Sequence, residues 1–262
     1  MIDCHCHLAD EQFSSDIEEV IARAQKAQVL ATLVCSEYSA QFEDVFRLAQ
    51  RFKGFCFSCI GVHPLQKGNV SVQVEDMDGM EELVEQNLDR IAAIGEVGLD
   101  FTPRFLKLAN AKEQQIAVFK RQIAIAIKHD LTLSVHSRSA GRPAIEILRE
   151  CGARRVLMHA FDGNDKSAQP AIDCGYFFSI PPSFTHSERK IDLIKRIPLT
   201  QLCLETDSPV LGPSKSERNE PSNIHISAEL IANIKGIPVD ELIKITNENA
   251  VRLFPVLKCL LR

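Results

Sequence analysis

Short apolar segments with the character of β-strands alternate eight times with segments of helical periodicity along this 262-residue chain. We predict strands at residues 2–7, 29–35, 55–60, 91–94, 131–136, 155–159, 176–180 and 202–205. A closed parallel barrel of about 250 residues is built from eight such strand–helix units. The sequence therefore predicts an α/β fold, a (β/α)8 TIM barrel with additional C-terminal helices at 224–235 and 239–254. We expect one domain that spans residues 1–262.

Ionisable side chains lie at the carboxyl ends of the predicted strands, the rim at which barrel enzymes place their active sites. His5 and His7 end the first strand two residues apart, so their rings should face the same way. The later strand ends supply His63, Glu96, His136, His159 and Asp207. Taken singly, each histidine is more often a structural residue and each carboxylate could cap a helix. Their joint placement at one rim favours a common site.

The predicted metal ligands are His5, His7, Glu96, His136, His159 and Asp207. Four imidazoles and two carboxylates suit Zn, Mn, Ni or Co, whereas Mg prefers oxygen ligands. Six ligands are too many for one open catalytic ion, so we predict two divalent ions bridged by Glu96. His5, His7 and Asp207 would bind one ion, and His136 and His159 the other. Such a pair can activate water and stabilise a leaving oxygen. Glu96 and Asp207 are the predicted catalytic residues, and Asp207 could take the proton from the attacking water.

Cys4 and Cys6 alternate with His5 and His7, so a mixed cysteine–histidine zinc site is an alternative. In a regular strand the two thiols would face away from the histidines, towards the helices. Buried cysteine behaves there as a small apolar residue. We therefore expect packing and not metal binding.

The chain carries a formal net charge of −5, so its surface as a whole is not the basic footprint of a protein that grips nucleic acid through phosphates. Nine scattered cysteines and the lack of a signal-like apolar start indicate a reducing, intracellular location, cytoplasmic or nuclear. No apolar run reaches the roughly 18–20 residues of a membrane span, and we expect no association with membranes. No obligatory protein partner is indicated.

The ordered motifs resemble those of the TatD family of metal-dependent deoxyribonucleases, and the resemblance covers essentially the whole chain. The matching segments are Asp3-x-His5-x-His7-Leu8, Gly61-Val62-His63-Pro64, Gly95-Glu96-Val97-Gly98-Leu99-Asp100, His136-Ser137-Arg138, His159-x-Phe161-x-Gly163, Glu205-Thr206-Asp207-Ser208-Pro209, Arg218-Asn219-Glu220-Pro221 and Asn249-Ala250-x-Arg252-Leu253-Phe254. Leu65, Ala160 with Asp162, and residues 102–105 depart from the usual family pattern, but none of them is a predicted ligand.

The resemblance implies an amidohydrolase-type barrel with a binuclear metal site that hydrolyses phosphodiester bonds in DNA, at single-stranded or 3′ ends. By resemblance, His63 would contact phosphate or help to hold a third, weaker metal. Arg138 and Arg218 are predicted to bind substrate, because guanidinium groups suit phosphate. Phe101, Phe161 and Phe184 could offer stacking faces for bases, although phenylalanine is more often a core residue. Two alternatives stay open: a hydrolase of a small ester, amide or phosphoester or of an ester on tRNA, and an inactive nucleic-acid-binding barrel.

Overall fold

Eight parallel strands hydrogen-bond to one another in chain order and form the central sheet of the protein. The computed structural model describes residues 1–261, except for the side chains of His186 and Leu261. The strands are β1 (Ile2–Cys6), β2 (Ala31–Cys35), β3 (Cys56–Ile60), β4 (Ile91–Gly98), β5 (Thr132–His136), β6 (Val156–Met158), β7 (Phe177–Ile180) and β8 (Leu202–Leu204). A small antiparallel hairpin pairs Leu65–Gln66 with Val70–Ser71. The sheet order 1 to 8 is that of a (β/α)8 barrel, and the predicted fold class is confirmed.

Helices follow the strands and cover the outside of the sheet. They are α1 (Ile17–Lys26), α2 (Phe42–Arg51), α3 (Met80–Gln86), α4 (Ala111–Lys128), α5 (Gly141–Glu150), α6 (Asp165–Asp173), α7 (Glu188–Arg196), α8 (Ile224–Lys235) and α9 (Val239–Leu253). Short 3-10 segments lie at Glu11–Phe13, Ser39–Gln41, Val74–Met77, Leu88–Arg90, Pro103–Phe105, Pro182–His186, Leu199–Gln201, Pro221–Asn223 and Pro255–Leu261. Apolar residues at helical spacing give each long helix one buried face. Within residues 1–261, no helix combines the length and apolar character needed to cross a bilayer.

The first and last strands meet at a seam that brings the ends of the sheet together. The backbone N–H of Asp207 donates to the carbonyl of His5 at 3.0 Å, and the N–H of His7 donates to the carbonyl of Ser208 at 2.7 Å. The buried carboxylate of Asp3 accepts hydrogen bonds from the backbone N–H (2.9 Å) and the hydroxyl (2.6 Å) of Thr206. These bonds place the predicted ligands from opposite ends of the sequence side by side.

Two apolar clusters lie on the two sides of the sheet. The outer cluster joins the helices to outward-facing strand residues such as Val34 and Ile60. The inner cluster fills the barrel with small side chains, and Phe254 and Leu257 from the chain after α9 pack against it. Thr132, the first residue of β5, donates to the carbonyl of Leu253 at 2.6 Å. The C-terminal segment therefore covers the amino ends of the strands and leaves the carboxyl ends open.

The structure corrects two details of the strand predictions. Strand β4 continues to Gly98, so Glu96 lies within the strand and not after it. Cys6 packs in the outer cluster as expected, but Cys4 packs in the inner cluster and does not face the helices. The register of β1 against β2 shifts between Asp3 and Cys6, which breaks the simple alternation on which that expectation depended.

Gly98 should be the most sensitive glycine of the barrel wall. Its φ is +139°, and an added Cβ would lie 2.0 Å from the carbonyl oxygen of His136. We expect Gly98→Ala to destabilise the protein by roughly 1–3 kcal/mol through backbone strain alone, with steric overlap adding to that loss. Urea denaturation would measure the change in the free energy of unfolding.

Gly54→Ala is the matched control, since Gly54 also has a positive φ (+85°) but no atom within 4 Å of an added Cβ. Equal losses for the two variants would contradict the steric argument.

Candidate metal centre

Five histidine side chains converge on the two carboxylate oxygens of Glu96. Oε2 lies 3.5 Å from Nε2 of His5 and 3.2 Å from Nε2 of His7. Oε1 lies 2.8 Å from Nδ1 of His136, 2.7 Å from Nε2 of His159 and 3.5 Å from Nε2 of His63. Each oxygen of a single buried carboxylate thus faces its own group of imidazole nitrogens.

Asp207 completes the group on the Oε2 side. Its Oδ1 lies 3.3 Å from Nε2 of His7 and 3.6 Å from Nε2 of His5. Three sets of donor atoms are each close enough to share one ion: His5, His7 and Glu96; His5, His159 and Asp207; and His63, Glu96 and His136. The structure therefore brings all six predicted ligands together. His159 belongs to the set with His5 and Asp207, and its Nε2 also lies 2.7 Å from Oε1 of Glu96, so it can serve either group.

The donors fit divalent metal ions. Most of these histidines fix their second ring nitrogen through a protein partner, an arrangement that orients a ligand ring and sets its tautomer. Nδ1 of His5 contacts Oγ of Ser134 (2.8 Å), Nδ1 of His7 the carbonyl of Cys35 (3.1 Å), Nδ1 of His63 the carbonyl of Leu65 (2.8 Å) and Nε2 of His136 Oδ2 of Asp100 (3.3 Å).

Buried Oδ1 of Asp207 has no hydrogen-bond partner among the residues that the structure describes. A buried acceptor without a partner is costly, and a cation supplies what it lacks.

Both predicted catalytic carboxyls are held in their charged form. Burial alone would raise the pKa of Glu96, but the imidazoles of His63 and His159 and the hydrogen bond from His136 hold it well below its usual range. Burial likewise opposes the charge on Asp207, but the neighbouring imidazoles of His7, His159 and His5 lower its pKa. Carboxylates in this state are ready to bind cations.

Three further buried carboxyls, none of them among the predicted site residues, support the ligands. Asp3 holds the seam, and burial raises its pKa to about 7. Glu205 accepts a hydrogen bond from the backbone N–H of Ala160 at 2.9 Å, directly after His159. Asp100 contacts His136 and also pairs with Arg138, whose Nε and Nη2 lie 2.7 and 2.6 Å from its Oδ2. All three lie in the segments that match the family motifs, and this membership could have identified them as candidates from the sequence.

The metal centre opens into a cavity of about 500 Å³. His63, Arg138 and Phe184 line it, as predicted substrate contacts would. Phe161 is instead a core residue, packed edge-to-face on Phe178. Neither it nor Phe101 is among the lining residues.

Arg218 is not among the residues that line the cavity either. Its guanidinium forms a two-point ion pair with Asp16, at 2.8 and 2.6 Å, and lies over the ring of Phe13. In this arrangement the side chain fastens the loop after β8 to the start of α1. Whether it contacts substrate stays a prediction.

A parallel barrel with buried imidazoles and carboxylates at the carboxyl ends of its strands is the architecture of a metal-dependent hydrolase. Comparison with known proteins gives the family. The model described as "TatD related DNase" matches residues 2–255, nearly the whole chain. This protein therefore belongs to the TatD family, as its motifs indicated.

Relatives and solved structures agree with this assignment. Deoxyribonuclease TATDN3 of Homo sapiens is 50% identical, with 100% of this chain and 97% of the relative covered. The metal-dependent hydrolase YabD of Bacillus subtilis is 33% identical, over 98% of this chain and 99% of the relative. The crystal structure of YJJV, a TatD homologue from Escherichia coli, has a TM-score of 0.87 and 25% identity, covering 97% of this chain and 98% of that one.

Removing the charge of Glu96 should weaken metal binding at both groups of donors. We expect Glu96→Gln to lower the divalent metal retained by the purified protein by half or more, because each oxygen of Glu96 faces one group. Inductively coupled plasma mass spectrometry would measure the metal per chain. Glu146→Gln, at an exposed carboxylate paired with Arg142, is the control. Unchanged metal content in Glu96→Gln would contradict a bridging position.

Asp100 should tune the metal centre through His136. We expect Asp100→Asn to weaken metal affinity by about 10- to 100-fold, as the loss of a carboxylate behind a ligating histidine does. Competition with a chelator would measure this affinity. The control is Asp130→Asn, at a surface carboxylate that pairs with Arg155 at 2.8 Å. Equal metal affinities in Asp100→Asn and Asp130→Asn would contradict a role for Asp100 in metal binding.

Proposed function

We propose that this protein is a metal-dependent deoxyribonuclease that hydrolyses phosphodiester bonds with two divalent ions. The carboxylate of Glu96, with one group of imidazoles at each oxygen, is the observation that carries the proposal. Glu96 would be a ligand to both ions, and such a pair would supply water activation and charge stabilisation. His5, His7 and Asp207 would hold one ion, and His136 and His159 the other. The donor set is compatible with Zn, Mn, Ni or Co, and with Mg as a weaker fit.

When bound, the ions would lower the pKa of water and neutralise charge on the phosphate. Asp207 would accept the proton, since its lowered pKa keeps it ionised. The water oxygen attacks phosphorus, the phosphorus–oxygen ester bond breaks, and its electron pair leaves with the ester oxygen. His63 and Arg138, which line the cavity, would position the phosphate.

DNA as the substrate is supported by the 50% identical human relative, which is named a deoxyribonuclease. A hydrolase of small esters or amides is not favoured by this comparison. We further propose that single-stranded or 3′ ends are cut, since one strand end is the form of DNA that a cavity of about 500 Å³ best admits. Nine free thiols support action in a reducing compartment, the cytoplasm or the nucleus.

A substrate panel would test the proposed activity. The protein, supplied with Mn, Zn or Mg, should cleave single-stranded DNA faster than duplex DNA, RNA or small phosphoesters. Asp207→Asn should lose about 100-fold or more in kcat, the range expected when a proton acceptor is removed. Glu96→Ala should lose activity as well, because it removes the carboxylate that faces both groups of imidazoles. Glu146→Gln is the control. Full activity in the Glu96 and Asp207 variants, or cleavage of small phosphoesters alone, would overturn the assignment.

Arg138 and Arg218 should differ as substrate contacts. Arg138 lines the cavity, whereas Arg218 is paired with Asp16. We expect Arg138→Ala to raise KM for single-stranded DNA by about tenfold, equivalent to about 1.4 kcal/mol. Arg218→Ala should change KM less and instead lower the midpoint of thermal unfolding. The reverse order of KM effects would place the substrate against the loop after β8.

A further inference from the structure

Lys190 is a buried cation in the wall of the catalytic cavity. It lies in the first turn of α7 and is only 9% exposed, yet it lines the same cavity as Glu96, His159 and Asp207. Lysine is almost never buried this deeply without a partner. Neither the metal centre nor the proposed proton transfer uses this side chain.

The local contacts of Lys190 leave its charge only partly compensated. Nζ donates a hydrogen bond to the carbonyl of Phe161, and the ring of Phe184 lies 4.4 Å from Nζ. The nearest carboxylate oxygen, Oδ1 of Asp162, is 3.8 Å away, beyond hydrogen-bond range, on a side chain that is 47% exposed. An ammonium group has three protons to donate. Among the described residues, one acceptor is in place for them.

Burial lowers the pKa of Lys190 to about 8, with Asp162 opposing the shift. The group therefore stays mostly protonated at neutral pH. A buried ammonium in this state gains more from an incoming anion than a solvated one does.

The two arginines predicted to bind substrate already have close carboxylate partners. Among the described residues that line the cavity, Arg138 and Lys190 are the arginine and lysine side chains, and Arg138 is held by Asp100 at 2.6 Å. Arg218 is held by Asp16 at 2.6 Å, and it is not a lining residue. Lys190 is thus the lining cation whose charge is least satisfied.

We propose that Lys190 binds a backbone phosphate of the nucleic-acid strand in this cavity. The inference rests on the proposed function, since it names a contact for the same substrate. The phosphate oxygens would take the free donors of Nζ, and the hydrogen bond to Phe161 would keep the ammonium aimed at the cavity. The ring of Phe184 and the aliphatic stem of Lys190 would form the wall beside that phosphate.

Binding of a short single-stranded DNA whose linkages are hydrolysis-resistant phosphorothioates would test this contact. Fluorescence anisotropy across a series of KCl concentrations gives Kd and its salt dependence. Lys190→Gln keeps a donor for the Phe161 carbonyl but removes the charge. We expect Kd to rise about tenfold, and the slope of log K against log salt to shrink by about 0.7, the value for one phosphate contact on a single strand. Lys190→Arg should retain most of the binding.

Lys195→Gln is the matched control, because Lys195 lies on the same helix but is exposed and paired with Asp192 at 3.2 Å. It should bind DNA like the unchanged protein. Lys190→Met, which keeps the apolar stem, is a second uncharged variant if Lys190→Gln unfolds, as judged by thermal denaturation.

A purely structural role for Lys190 would lower the unfolding midpoint without changing the salt slope. An unchanged Kd and slope in Lys190→Gln or Lys190→Met would overturn the phosphate contact, while DNA cleavage by the unchanged protein would leave the proposed function standing. Binding without cleavage would overturn the proposed function. The salt slopes of the unchanged protein and the Lys190 variants would still show whether Lys190 contacts a phosphate. If the unchanged protein neither binds nor cleaves DNA, both proposals fail.

Discussion

The seam between β1 and β8 is the contact on which the metal centre depends. His5 and His7 come from the opposite end of the chain to Asp207, and the hydrogen bonds across the seam hold the two segments where Oδ1 of Asp207 lies 3.3–3.6 Å from both imidazoles. Asp3 reinforces the seam through two hydrogen bonds with Thr206. Closing a contact of such long sequence separation costs chain entropy, which the packing of all eight strands must offset. Fold and site are therefore formed together.

The cluster of ionisable groups above this seam is a poor source of stability. Burying several charges costs several kcal/mol per ion before pairing repays it. The protein offsets part of this cost by giving the second nitrogen of most of these histidines a defined partner, such as Ser134 behind His5. A metal ion would offset more of the free-energy cost of burial, because it supplies charge and directional bonds to donors that face one another. Such a cluster is built for ligand binding and function and not for the stability of the core.

Much of this arrangement could be predicted because all strands of a parallel barrel end at the same rim, so a residue at a strand end has a known place in the fold. Once the alternation of strands and helices was assigned, every strand end pointed to the same rim, and the histidines there had to be neighbours. The strand predictions were wrong where a strand departs from regular β geometry. The predicted side for the Cys4 side chain was wrong because β1 shifts register. Glu96 was predicted to follow β4 because Gly95 and Gly98 are untypical of a strand, but β4 continues to Gly98.

Side-chain pairing was the other limit. The sequence contains 30 lysines and arginines, and no local pattern tells which of them face a cavity. Arg218 belongs to a family motif but its guanidinium pairs with Asp16, 202 residues away in the chain. Lys190 belongs to no motif segment and lines the cavity. Such choices depend on long-range contacts that only the folded structure supplies.

The carboxylate of Asp100 has a consequence for how substrate and metal affect each other. Its Oδ2 serves both His136 and Arg138, so the two residues share one acceptor. A phosphate that drew the Arg138 guanidinium towards itself would leave Asp100 to His136 alone, and that imidazole would become a more basic donor. By thermodynamic reciprocity, whatever substrate does to metal affinity through this pair, the metal does equally to substrate affinity. The ion pair between Asp100 and Arg138 would thus link the binding of substrate to the binding of metal.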